Sequence, residues 1–125
     1  MNNPKISDTE MYVMDYLWSQ TAGSGIGNIQ RYVETASEKT YKQQAIRVLL
    51  TMLQNKGYVK VYIDKETDHN VFVATQSRES FLQKESNKIV NKLFKGSIFD
   101  FLVSFFEGTK ITEEESKKIR EYLVQ

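Results

Sequence analysis

The residues best suited to recognising another molecule lie between 42 and 51. Lys42, Gln43, Gln44, Arg47, Val48 and Thr51, with Asn55 one turn on, recur at the 3.6-residue spacing of a helix face. Their types match the edges that DNA bases present in the major groove. Arg bonds bidentately to guanine, Gln bidentately to adenine, and Val or the Thr methyl meets the thymine methyl. No acid lies nearby to repel phosphate. From 39 to 63 the chain carries Lys39, Lys42, Arg47, Lys56 and Lys60 and no Asp or Glu. A helix that only covers a core ordinarily mixes Glu with Lys in i,i+4 pairs, so this stretch favours a polyanionic partner over a solvated face.

Other chemistry finds little to work with. With one His and no Cys, nucleophile–base pairs, disulfides and thiolate metal sites are all missing. Gly23-Ser24-Gly25-Ile26-Gly27 lacks the preceding strand and the Lys-Ser/Thr of a phosphate loop. Glu113-Glu114-Glu115 reads as first-turn acids favoured by a helix dipole. His69 reads as a solvated turn residue. We therefore expect no enzyme, no cofactor and no metal.

The elements that position the recognition face follow from periodicity. Ser7-Asp8-Thr9-Glu10 is a capping box, after which Met11, Met14, Leu17 and Trp18 mark a first helix over 8–19. Ile26, Ile29 and Val33 mark a second, over about 26–36. Thr40-Tyr41-Lys42-Gln43 reads as another capping box, opening a third helix whose core face is Ile46, Leu49, Leu50 and Leu53. Gly57 stands where a left-handed cap would end it. The period then drops to two: Val59, Val61 and Ile63 alternate with Tyr58, Lys60 and Tyr62. A polar turn, 64–70, precedes a return strand, Val71–Thr75. Helix-turn-helix followed by a hairpin is the winged-helix order. Lys60 and Lys65 of the wing could touch phosphates, while Tyr58 and Tyr62 read as half-buried packing residues. They are also the only pair of aromatics on one strand face, as stacking of RNA bases would need, and RNA is a lesser alternative.

Residues 76–125 look different in purpose. Phe81, Leu82, Ile89, Leu93 and Phe94 line one side of a helix over 78–95, and Gly96 interrupts it. From Ile98 to Phe106, seven of nine residues are apolar, too few to cross a bilayer and too many for one face of a surface helix. Thr112 caps a last helix bearing Ile119, Tyr122 and Leu123. A second copy of the chain is the economical cover for so apolar a segment; packing against the winged helix is the alternative. The expected interface residues are Phe81, Ile89, Leu93, Phe94, Phe99, Leu102, Phe105, Phe106 and Leu123. Such a homodimer would hold two recognition helices at a fixed separation and read an inverted repeat. Nothing at the N-terminus resembles a signal peptide, because Asp8, Glu10 and Asp15 interrupt it, so we expect a cytoplasmic protein with no membrane insertion.

Taken in order, these segments resemble the penicillinase-repressor family (BlaI/MecI type, with its CopY-type copper-operon relatives). Ile6-Ser7-x-x-Glu10-x-x-Val13-Met14-x-x-x-Trp18 is similar to that family's opening helix. Ala45-Ile46-Arg47-x-Leu49-Leu50-Thr51-x-Leu53-x-x-Lys56-Gly57-Tyr58 is similar to its recognition helix entering the wing. Lys92-x-x-Lys95-Gly96-Ser97 and the apolar run resemble its dimerisation segment. The resemblance implies a repressor of a resistance or stress operon, dimeric through its C-terminal helices on a double-stranded operator. In the resistance branch a sensor protease releases the operator by cutting in the apolar helix, at a position corresponding to Ser104–Phe105. The family carries Asn at Ser104, Thr at Ala45 and Arg at Met52. The copper branch's Cys-x-Cys pairs are absent.

The expectation is thus an α+β, mainly α fold: a winged helix-turn-helix over 1–75 and a helical dimerisation region over 76–125. A winged-helix protein-interaction module is the alternative, as is a regulator released by ligand instead of proteolysis.

Overall fold

The computed structural model describes residues 4–125, so residues 1–3 of the expected first domain lie outside the described residues. Among the described residues, six helices and a two-stranded antiparallel sheet follow one another as α1 (Asp8–Trp18), α2 (Ile26–Ser37), α3 (Gln43–Asn55), β1 (Val59–Ile63), β2 (Asn70–Ala74), α4 (Arg78–Phe94), α5 (Ile98–Gly108) and α6 (Glu113–Leu123). The chain divides into two compact units after Lys84, within α4.

In the first unit α1 opens on the expected capping box. The Glu10 amide donates to Ser7 Oγ at 3.2 Å, and the Ser7 amide donates to Glu10 Oε1 at 2.8 Å. The turn from α1 to α2 needs glycine at 23. Its φ is +81°, and a Cβ there would sit 2.7 Å from the Phe72 carbonyl oxygen. That approach lets Ser24 pair with β2: the Ser24 amide donates to Phe72 O at 3.0 Å and the Phe72 amide to Ser24 O at 2.8 Å.

The link from α2 to α3 corrects the sequence reading. α3 begins at Gln43 with Lys42 as its cap residue, and no side chain caps it. The Thr40 capping box does not form because α2 takes the link first. The Tyr41 amide donates to Glu34 Oε2 at 2.8 Å, and Gln30 Nε2 donates to the Tyr41 carbonyl at 2.7 Å. The helix starts three residues after Thr40, and Gln43 Oε1 instead accepts from Arg47 Nη2 at 3.3 Å.

α2 closes on Glu38, which holds a left-handed φ of +57°. A non-glycine residue is strained there, and its carboxylate opposes the C-terminal dipole. Glu38→Gly is expected to raise unfolding stability by about 0.5–1 kcal/mol, read as a higher urea midpoint at unchanged slope. A lower midpoint would contradict the strain.

The core is drawn from every element of this unit. Val13, Met14 and Leu17 meet Ile29 and Val33, Ile46, Leu50 and Leu53, and Tyr58, Val59 and Phe72. β1 and β2 pair with Val61 opposite Phe72. Phe81 completes the cluster, 5.1 Å from the Trp18 ring and 5.7 Å from that of Tyr58. The first unit therefore runs past the expected boundary at 75. Phe81, expected at a subunit interface, is instead 4% exposed in this core.

The second unit has no comparable centre. α4 ends at two consecutive left-handed residues, Lys95 and Gly96. α5 is capped by Ser97 and α6, as expected, by Thr112. Phe94 packs edge-on against Phe101 at 5.5 Å, and Phe101 lies over Phe105 at 6.4 Å. Yet no residue of α5 or α6 is buried. Among the described residues, no helix is long and apolar enough to cross a membrane.

Candidate nucleic-acid interface

α3 presents the face that its spacing foretold. Ile46, Leu50 and Leu53 are buried and fix the helix, while Lys42, Gln43, Gln44, Arg47, Val48, Thr51 and Asn55 are exposed. A helix N-terminus carries partial positive charge, and here no acid sits in its first turn. Arg47 shares an open cleft with Gly25, Ile26 and Gly27 at the start of α2 and with Asp68, His69 and Asn70 of the wing. Met52, which entered the sequence reading only as a departure from the family, joins Val48 as an exposed apolar pair one turn apart. Its apolar type hid it among core residues.

The wing is less uniform. Lys60 and Lys65 are exposed, but Lys65 shares its tip with Asp64, Glu66 and Asp68. The tip is closed by the Asp68 amide donating to Asp64 O at 2.7 Å and the Glu66 amide to Asp64 Oδ1 at 2.9 Å. Three carboxylates around one lysine make it acidic, unlike the helix beside it. The two tyrosines also separate. Tyr58 is 2% exposed and belongs to the core, whereas Tyr62 is 48% exposed, its hydroxyl donating to Ala22 O at 3.1 Å. The half-buried pair expected from the sequence, on which aromatic stacking of RNA would depend, is not presented.

One lysine of the basic block is turned inward. Lys56 Nζ donates to Glu10 Oε1 at 2.7 Å and to the Lys5 carbonyl at 2.8 Å. Glu10 itself has no solvent exposure. Burial is the largest single influence on its carboxyl and opposes ionisation. Hydrogen bonds from Lys56, from the Ser7 amide and from the Ser7 hydroxyl, with the charge of Lys56, together outweigh it and hold the pKa below the usual glutamate value. The sequence marks Glu10 as a capping acid but not as half of an ion pair, because its partner is 46 residues away.

The expected interface residues of the second unit, Phe81 apart, stay near solvent. Phe99 is 74% exposed, Leu93 67%, Leu123 66%, Ile89 and Phe105 45% and Phe106 37%, with Phe94 and Leu102 half-buried. Ser104 and Phe105 lie within α5, both exposed.

A family model described as "Penicillinase repressor" matches residues 6–125. The chain is 26% identical over 121 residues to the methicillin resistance regulatory protein MecI of Staphylococcus aureus, covering 95% of this chain and 93% of that one. It is 24% identical over 122 residues to the penicillinase repressor of Bacillus licheniformis, covering 96% and 90%. Among solved structures it is similar to a MepR variant from S. aureus bound to an oligodeoxyribonucleotide, with a TM-score of 0.53 and 20% identity over 95% of this chain and 75% of that one. At that identity the last likeness speaks for the winged-helix fold.

Proposed function

This chain belongs to the penicillinase repressor family, and we propose that it is a DNA-binding transcriptional repressor, not an enzyme, acting as a homodimer on an inverted-repeat operator of a resistance or stress operon. The observation that carries the reading is the exposed, acid-free face of α3, with Arg47 at its centre and the wing beside it. α3 enters the major groove; Gln43, Gln44, Arg47, Val48 and Thr51 meet base edges, and Lys42, Lys60 and Lys65 meet phosphates. The exposed aromatics of α5 join two copies.

Arg47→Ala should weaken operator binding by about 1–3 kcal/mol and relax preference at one base pair. Lys42→Ala or Lys60→Ala should weaken all duplexes alike and reduce the salt slope by roughly one. Fluorescence anisotropy across a salt series separates the two behaviours. An Arg47→Ala protein with unchanged affinity and preference would sink the assignment of this face. No affinity for any duplex, at any salt, would leave a protein-interaction module as the better reading.

Release of the operator is by a cut between Ser104 and Phe105 made by a sensor protease. The cut would detach Phe105, Phe106 and α6 from the rest of the dimer surface. Losing several aromatic side chains, each worth about 1.5–3 kcal/mol when buried, exceeds what a small interface can spare. Mass spectrometry of the protein from induced cells should find the two fragments. Intact chain at full induction would point instead to release by a ligand.

A further inference from the structure

The junction between α3 and β1 is held by a segment far away in sequence. α3 ends at Asn55, and Gly57, at φ +87°, turns the chain towards β1 at Val59. From each side of this glycine a side chain reaches the backbone just ahead of α1. Lys56 Nζ bonds to the Lys5 carbonyl at 2.8 Å and the Tyr58 hydroxyl to the Pro4 carbonyl. Glu10 Oε1 accepts from both Lys56 Nζ, at 2.7 Å, and the Ser7 amide, at 2.8 Å. The cap of α1 and the end of α3 therefore share one oxygen. β2 is referred to the same helix, because Ser24, in the turn leaving α1, exchanges two backbone hydrogen bonds with Phe72. α1 is thus the common reference for recognition helix and wing.

This arrangement is not the one that stability by itself would select. Among the described residues, Glu10 Oε2 is buried with no hydrogen-bond partner. A well-packed apolar pair of similar volume is often as stabilising as a buried ion pair, or more so. What the short ionic contact adds is a fixed geometry at a sensitive place. β1 has five residues and is roughly 17 Å long. A swing of about 10° at its base would carry the tip about 3 Å, more than a hydrogen bond tolerates.

We infer that Glu10 and Lys56 are positioning residues for DNA recognition: their clasp sets the pitch of the wing against α3, and sequence discrimination depends on it although neither residue touches a base. The inference rests on the DNA-reading function proposed above. It gives Lys56 a role other than phosphate contact despite its place in the basic block.

The test is Glu10→Gln with Lys56→Met in the full chain. Gln at the third helical position still closes the capping box, no buried charge is left unpaired, and net charge is unchanged. A preferred duplex is first selected from a random pool with the unaltered protein. Binding to it and to a random duplex is then measured over a salt series, well below the thermal midpoint. Affinity for the selected duplex should fall about tenfold, the scale of one lost base contact, while random-duplex affinity and its salt slope hold. Tyr58→Phe removes the hydroxyl that donates to the Pro4 carbonyl and should move discrimination the same way, by about threefold. It answers the question even if the double variant does not fold. Undiminished discrimination in folded variants would reduce the clasp to a structural brace. Equal weakening on both duplexes with a salt slope flatter by about one would make Lys56 a phosphate contact. An unaltered protein that selects no duplex would overturn the DNA-reading function itself, before any substitution is made.

Discussion

A chain ending at Lys84 is expected to fold, to sediment as a monomer, and to lose operator affinity by about 10²–10⁴-fold while weak binding to random duplex survives. Folding follows from where the core lies. Among the described residues, every buried apolar side chain falls between Val13 and Phe81, so the cut leaves that core whole. Ending at 76 would remove Phe81 and open the cluster around Trp18 and Tyr58. Loss of affinity follows from the dimer reading. Two tethered half-site readers gain from effective concentration, and two free ones do not. Sedimentation velocity and a gel-shift titration measure both halves of the claim. A truncated protein that remained dimeric would put the self-association surface in the winged helix and leave α5 without a role.

What the sequence disclosed tracks the range of the interactions involved. The Ser7–Glu10 box, the third-helix core face and the hairpin of alternating valines are specified within a few residues, and periodicity finds them. The Thr40 box is just as local on paper, but Gln30 and Glu34 of α2 compete for the same backbone, and a one-dimensional pattern carries no trace of that. Phe81 was misplaced for a related reason. Its spacing with Ile89 and Leu93 marks one apolar side of a helix, and periodicity cannot say which part of that side meets its own chain's core. Lys56 was counted with the exposed lysines because its acid is 46 residues away. Most of the face of α3 is legible, since its apolar anchor and its polar inventory lie on one helix, but exposed Met52 is not, because an apolar residue carries no sign of facing outward.

The second large effect is on folding. Lys56→Met should cost the first unit about 3 kcal/mol at neutral pH, near the low end for breaking a buried pair because the Lys56 side chain remains 27% exposed. The cost arises on the acid, which would stay buried with the hydrogen bond from the Ser7 amide and no cation. Its pH dependence identifies it. In the unaltered protein the folded-state pKa of Glu10 lies below its ordinary value. The carboxylate's contribution is therefore complete above the unfolded pKa of about 4.3 and is lost as pH falls through the lower, folded value. In Lys56→Met, burial still opposes ionisation while the largest opposing bond is gone, so the folded pKa moves up. That variant forfeits stability as pH rises through the raised value, and recovers it on acidification when the carboxyl takes a proton. The two stability curves should thus stand furthest apart near neutrality and converge below about pH 4. Adding Glu10→Gln to Lys56→Met should restore most of the loss at pH 7 and remove the convergence. Urea denaturation at several pH values decides it, because a constant gap at every pH would mean that lost packing of the lysine stem, not the stranded carboxylate, accounts for the cost.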